Sequence, residues 1–513
     1  MGTHNPTQFQ RRIAGIFHRV TQVPKLDLSR PEREELARAI MQLVDEHLGA
    51  LDSRRSGGLS EAASFERARA LSVPINDEPI EGGLSKIQEI LRRGIEASLP
   101  TTGAGYLAYV PGGGLVASAF ADLFSDTVNR FTGLASAAPL FCRLEADVLA
   151  WLAAEFGYGQ EARGLLTSGG SMANFNAVVT ARSTKLSEQT DLRTVTVYTS
   201  SQVHHSVERS VTLAGIPRSG IRTVPVDADM KLNPVALEEM IRADQAAGRL
   251  PFLVLASAGT TNTGAIDPLI DISDVCRRLD LWLHVDGAYG GAFVLSAEGK
   301  RRLAGIERAD SIVFDPHKGM FLPYGTGCLL VRDGRHLRDA HRESAEYLED
   351  FKHGDDRRIP SPTEYGPELS RDFRGLRIWL PLMLHGAQQF RDALAEKLAL
   401  AEELWEGARR LQDGGRDLEV CGPPQLSTVA FRHPRRPGES TEETDRRNTA
   451  LLEHINRSGR VFLSTTRLPT PEGSLLTLRA CILSFRTHAR EIAALLELLG
   501  GLDPSPDHPT ERS

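Results

Sequence analysis

The feature that most constrains the fold is an alternation of short apolar runs with helical segments between residues 100 and 390. The runs are rich in β-branched residues, as in PFLVLASAG (251–259) and LWLHVDGA (281–288). Segments with apolar residues at helical spacing lie between them, for example MANFNAVVTAR (172–182) and PVALEEMIRADQAA (234–247). Parallel strands need long crossover connections, so this alternation predicts an α/β protein with a mostly parallel sheet covered by helices.

The regions on either side of the alternation predict a division into three parts. Residues 1–100 carry amphipathic helical segments, and we expect them to form an N-terminal helical dimerisation segment. Residues 101–390 are predicted to form a large α/β domain, and residues 391–513 a small C-terminal α+β domain. The stretch 343–375 is rich in charge, proline and glycine, which is typical of a long mobile loop.

The composition excludes several classes of function. The 513 residues include 60 Lys and Arg against 67 Asp and Glu, and this net charge of −7 offers no electrostatic footprint for nucleic acid. No stretch approaches the roughly 18 uninterrupted apolar residues of a membrane span, and the N-terminus lacks an apolar signal region. The 5 cysteines never form a CxxC pair, which fits a reducing compartment. We therefore expect a cytoplasmic protein with no membrane or nucleic-acid partner.

Two polar clusters lie where a strand-like run ends and a helical segment begins. In TSGGSMAN, Gly170 and Ser171 begin a helix whose free N–H groups suit an anion such as phosphate. The same letters approach the G-x-S-x-G pattern of a hydrolase nucleophile, but the last glycine is missing. In VHHSVE, His204 and His205 could stack on or protonate a ligand; a zinc site would need a third ligand, for which only Glu208 is near.

Two further clusters supply an acid and a nucleophile at strand ends. In LHVDGAYGG, His284 and Asp286 share one face of a core strand, and a buried carboxylate is costly unless it meets a cation or a donor. In DPHK, Lys318 follows a core strand within a turn, and a lysine held there can lose its proton and attack carbonyls. Open α/β sheets bind ligands outside the carboxyl ends of their strands, so we expect the four polar clusters to lie close together there.

One cofactor suits all four clusters. Pyridoxal phosphate has a phosphate, a flat pyridine ring with a basic nitrogen, and an aldehyde that forms a Schiff base with lysine. An aspartate that faces the ring nitrogen keeps it protonated, because the opposite charge favours the protonated form. The four clusters together therefore predict a pyridoxal 5'-phosphate site.

The motifs resemble those of the group II pyridoxal-phosphate-dependent decarboxylases, the aromatic-L-amino-acid decarboxylase-like family of fold type I. The resemblance extends from about residue 65 to about residue 495, and the 25 residues from Thr261 to Asp286 and 32 from Asp286 to Lys318 follow the family pattern. It implies a mostly parallel seven-stranded sheet in a large domain, an N-terminal helical segment and a small C-terminal α+β domain. It also implies a homodimer with active sites at the subunit interface.

The resemblance assigns roles residue by residue. Lys318 is implied to be the Schiff-base lysine, Asp286 the partner of the pyridine nitrogen and His204 the ring-stacking histidine. Tyr365 is the candidate for the catalytic tyrosine in the mobile loop, with Tyr347 as its competitor. The residues implied to bind the cofactor are Gly170, Ser171, His204, Thr261, Asp286, Ala288, His317 and Lys318.

Several positions depart from the family pattern. Asp315 replaces the commoner Asn before PHK and places a negative charge near a phosphate. Met172 stands where Glu is usual, and Gly112 stands at a position that is often Thr. Arg479 matches a C-terminal arginine close to the site. The departures leave the implied cofactor chemistry intact and concern the identity of the substrate.

The predicted function is α-decarboxylation of an aromatic L-amino acid to the amine and carbon dioxide, by a carboxy-lyase without a metal. Three alternatives remain open. The same scaffold could take an acidic amino acid or diaminobutyrate, and a site arginine facing the substrate side chain would favour the acidic ones. It could couple decarboxylation to oxidative deamination and give an aldehyde. It could also be a non-catalytic cofactor-binding protein, which the presence of Lys318 and Asp286 argues against.

Overall fold

A computed structural model describes residues 26–51, 53–57, 61–341, 359–471 and 473–502. Residues 54–57 and those from 99 onward form one compact unit, and the remaining residues before 99 form another. Residues 343–358 of the predicted loop 343–375, which include Tyr347, lie outside the described residues. Within the described part of the chain, no helix is both long and apolar enough to cross a membrane.

The N-terminal unit is helical, as its amphipathic segments predict. A proline in the first turn and a capping interaction mark the start of its first helix: the backbone N–H of Ser29 donates to the carboxylate of Glu32 at 2.7 Å. Gln88 donates its side-chain amide to the carbonyl of Ala39 at 3.0 Å and joins two helices. The helices are Arg30–Ala50 (α1), Glu61–Leu71 (α2) and Gly83–Ala97 (α3).

The second unit is built on a seven-stranded sheet in the order β1-β7-β6-β5-β4-β2-β3. The strands β2 to β6 run parallel to their neighbours in that set, and β7 runs antiparallel to both β1 and β6. The mostly parallel α/β sheet is therefore confirmed. Its strands are Arg163–Thr167 (β1), Val195–Ser200 (β2), Ile221–Val224 (β3), Leu250–Ser257 (β4), Trp282–Asp286 (β5), Ser311–Phe314 (β6) and Gly327–Val331 (β7).

Both faces of this sheet are buried under helices. In β4, Leu253 and Leu255 pack into one apolar cluster, whereas Val254 and Ala256 pack into the cluster on the opposite face. The α-helices of this unit are Val116–Val128 (α4), Pro139–Glu155 (α5), Gly170–Lys185 (α6), His205–Leu213 (α7), Pro234–Ala246 (α8), Leu269–Arg278 (α9), Ala297–Arg302 (α10), Pro316–Gly319 (α11), Gly334–His341 (α12), Gly375–Asp413 (α13), Thr441–Ser458 (α14) and Ala489–Gly500 (α15).

A second, antiparallel sheet of four strands follows, in the order β10-β11-β9-β8, and confirms the α+β character of the C-terminal part. The predicted boundary at residue 390 falls inside α13, which runs through it after a break at Gly386, where φ is 75°. The division of this unit into two domains stays a prediction. The strands of the small sheet are Glu419–Val420 (β8), Thr428–Arg432 (β9), Ser464–Thr470 (β10) and Gly473–Cys481 (β11).

Candidate active site

A cavity of about 280 Å³ opens at the carboxyl ends of β4, β5 and β6. This is the edge at which parallel α/β sheets bind their ligands, because the crossover connections leave a crevice there. The structure brings all eight residues expected to bind the cofactor to this one cavity. They are Gly170, Ser171, His204, Thr261, Asp286, Ala288, His317 and Lys318.

The start of α6 forms one wall of the cavity, and glycine is required around it. A Cβ at Gly327 would lie 2.4 Å from the backbone of Gly169, and a Cβ at Gly170 would lie 2.9 Å from Oδ2 of Asp315. The first N–H groups of a helix have no partner within the helix and carry partial positive charge. The amides of Gly170 and Ser171 can therefore hold an anion close to the backbone, as the phosphate of the cofactor requires.

His204 also lines the cavity and caps α7. Its Nδ1 accepts the backbone N–H of Ser206 at 3.3 Å and lies 2.7 Å from the Ser206 hydroxyl. Because Nδ1 is an acceptor here, the proton of the neutral ring is on Nε2. Burial lowers the pKa of His204, which favours this neutral form. The ring of His205 packs against it, with the ring centres 4.1 Å apart.

Asp286 ends β5 and is held by two neutral donors. Its Oδ1 accepts the backbone N–H of Ala288 at 2.9 Å, and its Oδ2 accepts the side-chain amide of Asn174 at 2.9 Å. A carboxylate cannot donate, so the amide nitrogen of Asn174 must face Asp286 and its carbonyl oxygen must face away. That oxygen lies 2.8 Å from Nε2 of the buried His284, which therefore carries a proton on Nε2.

The donor chain continues beyond His284 into the core. Nδ1 of His284 lies 2.8 Å from the Ser311 hydroxyl, which in turn accepts the indole N–H of Trp282 at 2.9 Å. Since Nδ1 has no proton, the Ser311 hydroxyl donates to it, and every donor in the chain points toward Asp286. Burial lowers the pKa of His284 to about 4 and keeps it neutral. This chain orients the carboxylate of Asp286 before any ligand arrives.

Sequence reasoning placed His284 and Asp286 on one strand face but missed the other members of the chain. Trp282 shares that face by the same two-residue period, and Ser311 lies opposite His284 in the parallel register of β5 and β6. Asn174 stood within the TSGGSMAN motif. Its role required knowing that the second turn of α6 lies over β5, which no local pattern states.

Lys318 lies in the short helix α11, directly after β6. Its Nζ lies 2.9 Å from Oδ2 of Asp315, which is 2 % exposed. Nδ1 of His317 donates to the carbonyl of Thr326 at 2.7 Å, so its neutral ring has no proton on Nε2, the atom 3.6 Å from Asp315. Burial lowers the pKa of His317, so this histidine adds no positive charge beside Asp315.

The structure does not bring Tyr365 to this cavity. Tyr365 follows a short 3-10 turn, Pro362–Glu364, is 9 % exposed and lines a separate cavity of about 400 Å³ together with Cys142 and Leu165. A charged, proline-rich sequence does not by itself exclude burial, and here the tyrosine ring packs into the apolar cluster beside β1. Arg479 is also absent from the cavity lining; it donates to the carbonyl of Tyr109 at 2.7 Å.

A sheet of this order, with a lysine, an aspartate and an anion cradle at its carboxyl edge, defines a pyridoxal-phosphate enzyme of fold type I. The model of the pyridoxal-dependent decarboxylase conserved domain matches residues 65–434. The chain therefore belongs to the pyridoxal-dependent decarboxylase family, as its motifs predict. It is a pyridoxal-phosphate-dependent amino-acid decarboxylase.

Individual relatives agree with this assignment. The chain is 33% identical over 473 residues to an aromatic-L-amino-acid decarboxylase of Bacillus atrophaeus, which covers 92% of this chain and 95% of the relative. It is 27% identical over 434 residues to an L-2,4-diaminobutyrate decarboxylase of Acinetobacter baumannii, with 80% and 83% covered. The crystal structure of Oryza sativa TDC with PLP and tryptamine has the same fold, with a TM-score of 0.83, 24% identity and coverage of 93% and 98%.

Proposed function

We propose that the protein removes the α-carboxylate of an aromatic L-amino acid as carbon dioxide and releases the amine. The observation that carries this proposal is the meeting of Lys318, Asp286 and the amides of Gly170 and Ser171 in one cavity. A primary amine, a buried carboxylate and an anion cradle match the aldehyde, the ring nitrogen and the phosphate of the cofactor.

Each side chain contributes a separate part of the chemistry. When bound, pyridoxal phosphate accepts the electron pair that remains on the α carbon as carbon dioxide leaves. Lys318 offers the amine that holds the cofactor's aldehyde, and Asp286 holds a proton at the ring nitrogen through its negative charge. The neutral ring of His204 offers a flat surface for stacking. We place Thr261, Ala288 and His317 around the ring and the phosphate.

The charges around the cavity favour an uncharged substrate side chain. Among the described residues that line it, the one Lys or Arg is Lys318, and no arginine is present to pair with an acidic side chain. The ring of Tyr324 lies edge-on to His317, with the ring centres 5.6 Å apart, and is 60 % exposed. An aromatic ring beside a residue of the cavity lining can pack against an aromatic substrate. The Bacillus atrophaeus relative supports the same choice.

A substrate panel tests this proposal. The purified protein is loaded with cofactor and given L-tryptophan, L-tyrosine, L-phenylalanine, L-glutamate, L-aspartate and L-2,4-diaminobutyrate, and amine, aldehyde and carbon dioxide are measured together. We expect the highest kcat/KM with an aromatic substrate and equal amounts of amine and carbon dioxide. A preference for glutamate, aspartate or diaminobutyrate would overturn the substrate class, and aldehyde in place of amine would indicate an oxidative deaminase.

We further propose that a tyrosine of the 343–375 stretch delivers the proton to the α carbon. Tyr365 and Lys318 line different cavities of the one chain described, so we take Tyr347 as the first candidate and Tyr365 as its competitor. Phenylalanine removes the acidic proton, so Tyr347→Phe should release carbon dioxide with a lowered yield of amine. Tyr365→Phe is the matched control and should keep the two products equal. Equal products from Tyr347→Phe would exclude that residue as the donor.

We also propose that the protein works as a homodimer. Helix α4 exposes Phe120, Leu123 and Phe124, and α3 exposes Ile87 and Leu91. Apolar groups in such rows are typical of surfaces that another chain covers. Light scattering of the full chain, coupled to size exclusion, should report a mass of twice 56.1 kDa. A monomer at micromolar concentration that decarboxylates its substrate would contradict this proposal.

A further inference from the structure

The carboxylate of Asp315 occupies an unusual place for a negative charge. It is 2 % exposed, and its Oδ2 and Oδ1 lie 2.9 and 3.2 Å from the position that a Cβ of Gly170 would take. It therefore lies beside the first residues of α6, where the cradle for the phosphate begins. A buried carboxylate in such a place repels any anion that binds to these amides.

The hydrogen bonding of Asp315 is also incomplete. Oδ2 pairs with Nζ of Lys318 at 2.9 Å, whereas Oδ1 is buried and has no hydrogen-bond partner among the described residues. The two oxygens of a buried carboxylate normally both find donors, because leaving one without a partner costs its full desolvation. Among the described residues, the charge of Asp315 is thus paired with one cation, Lys318, and its amine is the group that must attack the cofactor's aldehyde.

Attachment of the cofactor changes the partner of Asp315, because the Lys318 ammonium with three N–H donors becomes a C=N nitrogen with at most one. The Lys318 ammonium must first lose a proton, after which its electron pair forms a bond to the aldehyde carbon and the carbonyl oxygen leaves as water. The neutral His317 ring, which lies 3.6 Å from Asp315, adds no positive charge there. A cofactor phosphate held at the start of α6 would then add a second negative group beside Asp315.

We propose that Asp315 weakens the hold of this protein on the phosphate of its cofactor, so that the cofactor exchanges with solution more readily than an uncharged residue at this position would allow. The inference rests on the proposed location of the phosphate at Gly170 and Ser171. Asparagine has nearly the same shape and no charge. A unit charge of this kind at a partly desolvated site changes affinity by ~10- to 100-fold.

The test compares the wild-type chain with Asp315→Asn and Asp315→Ala, each stripped of cofactor and titrated with pyridoxal phosphate by visible absorbance. Both variants should bind ~10- to 100-fold more tightly, because both remove the charge. Asp271→Asn is the matched control; it removes an exposed charge outside the cavity lining and should bind like wild type. Thermal unfolding of each variant establishes that the chains titrated are folded.

A second titration uses pyridoxal, which has the aldehyde and the ring but no phosphate. If Asp315 acts on the phosphate, the Kd for pyridoxal should differ by less than threefold between wild type and Asp315→Asn. Equal Kd values for pyridoxal phosphate would overturn the proposal. It would also be overturned by an equal shift with pyridoxal, which would place the effect on Lys318, or by tightening in Asp315→Asn alone. Turnover of wild type at saturating cofactor tests the proposed function separately from these affinity ratios.

Discussion

The two ends of the cavity hold buried carboxylates that are stabilised in opposite ways. Asp286 has one neutral donor on each oxygen, and one of those donors is the last link of a chain that begins at Trp282. Asp315 has one oxygen paired with Lys318 and one oxygen without a partner in the described part of the chain. The fold thus supplies hydrogen-bond donors to both oxygens of Asp286, whereas Asp315 depends on Lys318, the amine that reacts with the cofactor.

The difference separates two tasks that a cofactor site performs. A group that must hold a proton at one ring atom gains from being oriented in advance, because no reorganisation is then needed during the reaction. A residue beside the phosphate affects how tightly the cofactor binds and takes no part in the reaction. An oxygen of Asp315 without a hydrogen-bond donor among the described residues can find a new partner when the cofactor binds. We expect substitutions at the Asp286 end to affect turnover and those at the Asp315 end to affect affinity.

The largest effect is expected at the residue that links the two ends. Lys318→Ala removes the amine and also the cation beside Asp315, so turnover should fall by at least ~10³-fold while the chain still folds and binds the cofactor weakly. Borohydride reduction followed by intact-mass measurement should attach the cofactor to wild type and not to the variant. A cofactor adduct of undiminished yield in Lys318→Ala would show that another lysine holds it.

Asp286→Asn removes the negative charge of this side chain and keeps its shape. A neutral amide cannot hold a proton at the ring nitrogen by charge, so kcat should fall by ~10²- to 10⁴-fold. The phosphate end should be unaffected, and the affinity for pyridoxal phosphate measured by absorbance should therefore change far less than kcat. Turnover within about tenfold of wild type, a change of only ~1.4 kcal/mol, would exclude Asp286 as the partner of the ring nitrogen.

A comparison of Asn174→Ala with Ser311→Ala measures how strongly each link of the hydrogen-bond chain behind Asp286 affects turnover. Asn174→Ala leaves Oδ2 of Asp286 without its donor, so kcat should fall by ~10-fold with little change in KM. Ser311→Ala acts three links away and should cost less. Stopped-flow turnover with the preferred substrate gives both parameters. Equal losses in the two variants, or a loss in KM alone, would argue that the residues support packing and not the orientation of Asp286.

Acid should lower the stability of the folded protein through protonation of His284, which belongs to the donor chain of Asp286. Burial lowers the pKa of His284 to about 4, whereas a histidine in an unfolded chain titrates near 6.5. The folded chain therefore binds this proton more weakly, and the free energy of unfolding should fall by up to ~3 kcal/mol as the pH drops from about 6.5 to about 4. Urea unfolding at several pH values should show a flatter dependence in His284→Gln. His454→Gln, an exposed control, should retain the wild-type dependence.

The sequence predicted much of the sheet because its strands are short, apolar and punctuated by glycine. The run LWLHVDGA (281–288) contains the observed strand Trp282–Asp286, and PFLVLASAG (251–259) overlaps Leu250–Ser257. Ile221–Val224 escaped prediction, because its four residues include an arginine and lie on the edge strand of the sheet. Edge strands are half exposed and lack the continuous apolar run on which the prediction depends.

Residue type and local composition did not predict the burial of Tyr365. Its surrounding sequence favoured a mobile loop, yet its ring packs into an apolar cluster at a different cavity from that of Lys318. Local composition measures how polar a segment is on average, whereas burial depends on which surface the segment meets. The fold provides such a surface beside β1.

The sequence by itself determined the elements of the site: which runs form strands, and which reactive residues stand at the strand ends. Both follow from periodicities of two to four residues, which are local and survive without knowledge of the fold. Only the tertiary structure decided that Asn174 meets Asp286 across 112 positions of the chain and that Oδ1 of Asp315 has no hydrogen-bond partner among the described residues. Such pairings depend on the order of the strands and on the helix that crosses them, because long-range contacts come from packing and not from spacing along the chain.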